Sequence, residues 1–147
     1  MPASDPILGG TLTISFWLKF TNNGGFIFRF YSQDTSYDYF SVFIRGAGYI
    51  TILTDSWNSQ LTADEPITLS EWTIVTITIY TYESTDYYSV YADEKLILYT
   101  RDSTYRVSTD PNDIVVLGGP NCFLGSLSNF RIFNSGSAFI SDASILL

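Results

Sequence analysis

The sequence contains no histidine and only one cysteine in 147 residues. Without an imidazole, the chain lacks the commonest general base, the Ser-His-Asp and Cys-His nucleophile systems, and every zinc site that needs a histidine ligand. Because Cys122 is alone, an internal disulfide and a thiolate zinc cluster are excluded as well. Its apolar neighbours favour a small buried side chain, and the alternative is a thiol that pairs with another chain.

Charge is also scarce, and most of it is acidic. Charged residues make up 15% of the chain, where roughly a quarter is usual, and the net charge is −8. The seven cationic residues occur singly, so no basic patch can be read from the sequence. Nucleic acid and anionic membranes attract basic faces, so neither is expected as a partner. No apolar run reaches about 18 residues, so membrane insertion by a helix is not expected either.

The length and the 46% hydrophobic content suit one ordinary folded domain. Residues 1–10 form a polar lead-in segment with proline and glycine, and we assign 11–147 to the domain. The N-terminal residues have neither the charged nor the apolar region of a signal peptide. Ser, Thr, Asn and Tyr supply most of the polarity, which is common on extracellular β domains.

The clearest secondary-structure signal is a hairpin over residues 71–98. The segment 72–80 is almost entirely β-branched or aromatic, which favours a strand. Its alternation predicts one dry face and one wet face. The dry face comprises Val75, Ile77 and Ile79, and the wet face comprises Thr76, Thr78 and Tyr80. A turn over 82–86 leads to a second strand, which ends at Asp93-Glu94-Lys95.

Further strands are indicated by alternating or β-branched segments between turn residues. In segment 11–20, the alternation places Leu12, Ile14, Phe16, Leu18 and Phe20 on one core face. The other predicted strands begin at Phe26 or cover 39–45, 49–54, 114–117 (short and buried) and 123–133, with a long loop over 55–66 and a polar, turn-rich run over 100–112. Many short strands without a crossover helix predict an all-β antiparallel sandwich.

Five segments, in this order, resemble the laminin G-like domains of the concanavalin A-like lectin and glucanase superfamily. They are Thr13-Ile14-Ser15-Phe16-Trp17-Leu18-Lys19, Glu71-Trp72, Val90-Tyr91-Ala92-Asp93-Glu94-Lys95-Leu96, Leu117-Gly118-Gly119 and Phe123-Leu124-Gly125-Ser126-Leu127-Ser128-Asn129-Phe130-Arg131-Ile132-Phe133-Asn134. The resemblance spans nearly the whole chain. It implies a jelly roll of two curved antiparallel sheets, in an extracellular or cell-surface protein, that binds its partner on the concave sheet or on loops at one rim.

The chain departs from this family in two places. The family usually has Asp-Gly at the hairpin turn where this chain has Asp93-Glu94, and glutamate tolerates positive φ poorly. The pentraxin branch binds Ca²⁺ with acidic and amide residues, and the resemblance places Asp34 and Asp38 where its early ligands would lie. The second acidic cluster is missing, although Asp110, Asn112 and Asp113 could supply another oxygen. The alternative is that these residues form turns by bonding their own backbone.

Carbohydrate binding is the leading functional hypothesis, because 17% of the residues are aromatic. Sugars are held by aromatic faces and planar polar groups, whereas tyrosine can also simply cover the edge of a core. The aromatic candidates are Tyr37, Tyr39, Trp57, Tyr80, Tyr82, Tyr87 and Tyr105. We predict a rim-loop site made of Asp34, Tyr37, Asp38, Trp57 and Asn58, which binds a glycan or a protein.

Glycoside hydrolysis is not expected. That reaction needs two carboxylates facing each other across a cleft, and Glu65, Glu71 and Glu83 are isolated near strand ends. Asp93 and Glu94 are adjacent, so they would point to opposite faces of a strand. The sequence thus predicts a non-catalytic binding or adhesion module. The alternative is a structural module that assembles with other protein chains through a flat Tyr and Thr patch and has no small ligand.

Overall fold

The computed structural model describes residues 11–22, 24–32, 37–54, 59–82, 85–102, 114–117 and 121–133. Within these ranges the chain forms ten strands and no helix. The strands are β1 (Thr11–Asn22), β2 (Gly25–Ser32), β3 (Tyr37–Ile44), β4 (Ile50–Thr54), β5 (Ser59–Thr62), β6 (Trp72–Tyr82), β7 (Thr85–Ala92), β8 (Lys95–Asp102), β9 (Ile114–Leu117) and β10 (Leu124–Phe133).

The strands form two five-stranded sheets. The first sheet has the order β10-β1-β6-β7-β8, and the second has the order β5-β4-β3-β2-β9. Every strand pair within a sheet is antiparallel. The predicted all-β antiparallel sandwich is therefore confirmed.

The core lies between the two sheets and is built from the alternation seen in the sequence. The five predicted core residues of β1 are each at most 1% exposed, and Val75, Ile77 and Ile79 of β6 are also buried. Strand β4 is buried along its whole length. Burying branched and aromatic side chains between the sheets supplies the main driving force for this fold.

Aromatic rings connect the two sheets at the centre of this core. Phe28 of β2 makes edge contacts with Phe16 of β1 and Phe130 of β10, with ring centroids 5.8 and 5.1 Å apart. In the same cluster, the ring of Phe40 of β3 lies 6.2 Å from that of Phe28 and stacks on Tyr88 of β7 at 6.4 Å. Edge and offset geometries of this kind stabilise aromatic pairs beyond the area that they bury.

Several predicted boundaries were wrong. The predicted loop over 55–66 contains strand β5, and β3 begins at Tyr37 rather than at residue 39. The predicted turn over 82–86 is shorter, because Tyr82 ends β6 and β7 already begins at Thr85. Strand β8 continues to Asp102 into the run predicted to be polar loop. Pairing with a neighbouring strand extends these polar ends, which local propensity alone does not reveal.

Strand β9 was predicted correctly in position but not in burial. It lies at an edge of the second sheet, where Val115 is 42% exposed and Leu117 is 49% exposed. Nearby, the side chain of Cys122 is partly buried. The Cys122 backbone pairs with that of Phe26 in an isolated parallel β-bridge. This close approach requires Gly25, because a Cβ at that position would lie 2.3 Å from the backbone carbon of Cys122.

The Asp93-Glu94 turn forms without the glycine that the family usually has at this position. The residue with positive φ is Asp93, at 53°, and not Glu94. Its carboxylate accepts a hydrogen bond from the Ile74 backbone N–H at 3.1 Å, and its own N–H donates to the Ile74 carbonyl at 2.8 Å. Aspartate is tolerant of this conformation because its short side chain can bond to nearby backbone.

The strand directions give the sandwich two distinct ends. Strands β2 and β4 finish, and β3 and β5 begin, at the end that we call the upper end, where Ser32 pairs with Tyr37 and Thr54 with Ser59. The contact between Phe40 and Tyr88 joins this region to the start of β7 in the first sheet. The β6–β7 hairpin therefore lies at the upper end too.

We predict that Phe28→Ala lowers the free energy of unfolding by about 3–5 kcal/mol, because it leaves a cavity between the sheets. Denaturant unfolding measures this loss. Phe43→Ala is the control, since Phe43 is only half-buried on the outside of the second sheet. Equal losses in the two variants would contradict the assignment of Phe28 to the central contact.

Asp93→Ala should lower the free energy of unfolding by about 1–2 kcal/mol, because alanine tolerates positive φ poorly and cannot accept the Ile74 hydrogen bond. Asp93→Gly should lose less, since glycine adopts this φ without strain. Thermal melts of the two variants measure the difference. A larger loss in the glycine variant would show that turn geometry is not what selects Asp93.

Candidate functional site: the outward face of the first sheet

The outward face of the first sheet is rich in hydroxyl groups and tyrosine rings. Cross-strand register places Thr13 of β1 beside Thr78 of β6, which in turn lies beside Ser89 of β7. Two residues further along β1, Ser15 lies beside Thr76 in the same way. These residues alternate with the core residues, so their side chains leave the sheet on the side away from the core.

The centre of this face is nearly inaccessible to water. Thr13 is 1%, Ser15 4%, Thr76 2% and Thr78 7% exposed, and we call these four residues the hydroxyl floor. The prediction that Thr76 and Thr78 form a wet face was therefore wrong. Alternation along one strand shows on which side of the sheet a residue lies, but not how exposed that residue is.

Four tyrosine side chains lie on the same face as the hydroxyl floor. Tyr80 is 46% exposed and Tyr99 is 65% exposed, while Tyr87 and Tyr91 are partly buried. Tyr80 and Tyr87 are cross-strand partners with ring centroids 6.4 Å apart. The predicted exposure of Tyr80 is confirmed. This face therefore combines buried hydroxyl groups with exposed aromatic rings.

The same face carries three cations, Lys19, Arg101 and Arg131. Register places Arg101 opposite Tyr87, Arg131 opposite Ser15, and Lys19 opposite Trp72. Across the described ranges, none of the three makes an ion pair or a hydrogen bond. The outward-facing side chains of this sheet that the structure describes include no carboxylate.

The other described cations all have partners. Arg29 lies over the ring of Phe26 at 5.3 Å, and Arg45 donates hydrogen bonds to Gln60 at 2.9 Å and to Thr51 at 3.3 Å. Lys95 forms an ion pair with Glu65. The unpaired cations of the described chain are therefore those on the outward face of the first sheet.

Residues on the outward face of the second sheet are buried to a similar degree. Phe26 is 7%, Leu53 8% and Ser41 0% exposed, although all three lie on the side away from the core. Phe26 also packs edge-on against Phe43 with ring centroids 5.2 Å apart. We place the candidate site on the first sheet because its outward face carries the exposed rings of Tyr80 and Tyr99 and the three cations that are unpaired in the described chain.

The predicted rim-loop residues fall largely outside the described residues. Asp34, Trp57 and Asn58 lie there entirely, while Tyr37 and Asp38 belong to β3 through their backbone only. The strand ends that flank segments 33–36 and 55–58 lie together at the upper end of the second sheet. This site, and the proposed Ca²⁺ ligands Asp34 and Asp38, thus stay predictions.

Acidic groups do not cluster in the part of the chain that the structure describes. No group of three or more His, Cys, Asp or Glu side chains that could hold a metal ion occurs there. Glu65 is paired with Lys95, Glu71 is exposed beside β6, and Glu83 lies outside the described ranges. The described residues also include no helix long and apolar enough to cross a membrane.

Two antiparallel sheets packed around an aromatic core define an all-β sandwich of the concanavalin A-like class. A family model, described as the concanavalin A-like lectin/glucanases superfamily, matches residues 2–137. The chain belongs to this family, and the laminin G-like resemblance read from the sequence is confirmed. A search of curated proteins finds no match.

Solved structures with the same fold include carbohydrate-binding modules. The CBM40 module of a Ruminococcus gnavus IT-sialidase, bound to alpha2,3 sialyllactose, has 15% identity and a TM-score of 0.69, with 98% of this chain and 89% of that chain covered. Domain 4 of a GH43 extracellular arabinanase from Geobacillus stearothermophilus, in complex with arabinotriose, has 15% identity and a TM-score of 0.61, with 95% and 68% covered. A heptameric SAP-like pentraxin from Limulus polyphemus has 16% identity and a TM-score of 0.60, with 93% and 70% covered.

Sequence reasoning missed part of this face. Tyr91, Tyr99, Arg101 and Arg131 were not singled out, because the cations occur singly and Arg131 is distant in the chain from the other three. Strand order and register bring them to one surface. The predicted hairpin ends at Leu98, whereas β8 continues to Asp102. Alternation extended beyond Leu98 places Tyr99 and Arg101 on the outward side.

Proposed function

We propose that this domain is a non-catalytic carbohydrate-binding module whose ligand lies on the outward face of the first sheet. The main support for the proposal is the composition of this face, where the exposed rings of Tyr80 and Tyr99 lie on the same side of the sheet as the hydroxyl floor. Binding of carbohydrate by several solved structures of the same fold supports it.

The chemistry of the face suits a sugar. The apolar faces of pyranose rings pack on aromatic side chains, and tyrosine adds a hydroxyl at the rim that can bond to water or ligand. Tyr80 and Tyr87, as a cross-strand pair, offer neighbouring rings at the upper end. Ligand sites commonly combine such apolar surfaces with a few convergent polar groups.

Catalysis does not form part of this proposal. Glycoside hydrolysis uses two carboxyl groups roughly 5–10 Å apart across the bound sugar. The outward side chains described on the first sheet are neutral or cationic, which suits retention of a glycan without cleavage. We also propose that the domain acts outside the cell or at its surface, as part of a larger protein.

We predict that Tyr80→Ala and Tyr99→Ala each weaken binding of a recognised glycan about two- to tenfold, because each removes a stacking contact worth roughly 0.5–1.5 kcal/mol. Calorimetric titration against lactose, sialyllactose and arabinotriose is the first measurement. The control is Tyr31→Ala, which removes a partly buried ring from the second sheet. Equal weakening by the control would contradict the placement on the first sheet.

The rim-loop residues are a separate proposal for the same function. If Trp57→Ala and Asn58→Ala abolish glycan binding while Tyr80→Ala and Tyr99→Ala leave it intact, the ligand binds at the upper-end loops. Tyr37, Asp34 and Asp38 would then be tested in turn. A rim-loop site and a site on the first sheet therefore predict opposite effects on glycan binding in these four variants.

If Asp34 and Asp38 hold Ca²⁺, then Ca²⁺ should raise the melting temperature by several degrees, since a ligand of the native state alone stabilises it by linkage. The double variant Asp34→Asn/Asp38→Asn should remove the rise, and Asp64→Asn/Glu65→Gln, at exposed acidic residues, should retain it. A rise that persists without Asp34 and Asp38 would contradict their assignment as ligands.

Protein assembly is the second candidate function. It is favoured by exposed apolar side chains on the edge strands β9 and β10, where Leu117 is 49% and Leu124 is 54% exposed. Unpaired sheet edges are common points of contact between chains. Concentration-dependent sedimentation that is lost in Leu117→Asp, together with no binding of any glycan, would favour assembly over carbohydrate recognition.

A further inference from the structure

The charge on the outward face of the first sheet is opposite to that of the whole chain. The net charge is −8, yet the described outward side chains of this sheet include three cations and no carboxylate. A random distribution of seven cations and fifteen acids would place more acidic than basic groups there. The face is therefore electrostatically distinct from the molecule that carries it.

These three cations also differ from the other described cations in having no partner within the described part of the chain. Lys19, Arg101 and Arg131 make no ion pair or hydrogen bond within the described ranges, whereas Arg29, Arg45 and Lys95 all have partners. Arginine guanidinium groups bind carboxylate and other oxyanions through paired N–H donors. The free donors of Arg101 and Arg131 are thus available to an external anion.

Register also sets where such an anion would lie. Arg101 is the cross-strand partner of Tyr87, which is in turn the partner of Tyr80, so one row across the sheet reads Tyr80, Tyr87, Arg101. A second row reads Arg131, Ser15, Thr76, Tyr91. Each row joins a guanidinium group to tyrosine or hydroxyl side chains.

The two arginines lie on opposite edge strands. Strands β10 and β8 are separated by four strand spacings of about 4.8 Å, or roughly 19 Å in all. One small anion cannot reach both guanidinium groups across that width. An extended ligand that runs across the strands and carries more than one negative group can.

From these observations, and on the basis of the carbohydrate-binding function proposed above, we infer that the ligand is an anionic oligosaccharide that lies across the strands of the first sheet. Its sugar rings pack beside Tyr80 and Tyr87, and its negative groups face Arg101 and Arg131. Carboxylate and sulfate share the required chemistry, so both sources of charge enter the test.

The test uses the full chain and three probes of equal length: an oligogalacturonide, its carboxyl-reduced neutral form and a sulfated oligosaccharide. We expect at least one anionic probe to bind at least about tenfold more tightly than the neutral form, with affinity that falls as salt is raised. Tighter binding of the carboxylated probe assigns carboxylate as the natural group, and tighter binding of the sulfated probe assigns sulfate.

Arg101→Gln and Arg131→Gln should each reduce this preference about tenfold while leaving the melting temperature unchanged. Lys95→Gln is the matched control, because it removes the same charge from an exposed ion pair outside the proposed contacts. A preference that survives both arginine variants, or that falls equally in the control, would overturn the inference.

Equal binding of neutral and anionic probes, lost in Tyr80→Ala, would overturn the anionic assignment and leave carbohydrate binding in place. No binding of any probe or of the neutral panel would overturn both.

Discussion

The fold depends on aromatic packing between the two sheets. Phe28 contacts rings from β1 and β10, and Phe40 contacts both Phe28 and Tyr88, so one connected cluster of rings joins the layers. These contacts fix which side of each strand faces inward. Because side chains alternate along a strand, the same constraint decides which residues appear on the outside. The composition of the outward face is thus a consequence of how the core packs.

Core packing thus determines which side chains make up the candidate site. On β6 the inward residues are Val75, Ile77 and Ile79, so Thr76 and Thr78 must lie outward. On β7 and β8 the inward set leaves Tyr87, Tyr99 and Arg101 on the outside. The face therefore combines hydroxyls, rings and cations that are all supplied by described strands. A site built on paired strands holds its side chains at fixed spacing, which favours recognition of a repeating ligand such as a glycan.

The sequence predicted the architecture well for physical reasons that apply locally. β-branched and aromatic residues with period two indicate strands, and the inward set of β1 could be listed residue by residue. Strand ends such as Thr85 and Asp102 were placed in turns, because polar residues there are held by partners distant in sequence. The burial of Thr13 and Thr78 was missed for the same reason, since it depends on neighbouring strands. The common location of Arg101 and Arg131 depends wholly on strand order, which alternation along one strand does not encode.

Chemical-shift mapping of the backbone amides during titration with an oligogalacturonide tests the central claim most directly. If the outward face of the first sheet is the binding surface, the largest changes will occur in β6, β7 and β8, near Tyr80, Tyr87 and Arg101, with smaller ones on β1 and β10 near Ser15 and Arg131. Changes confined to segments 33–38 and 55–58, or to the edge strand β9, would contradict the account and move the site away from this sheet.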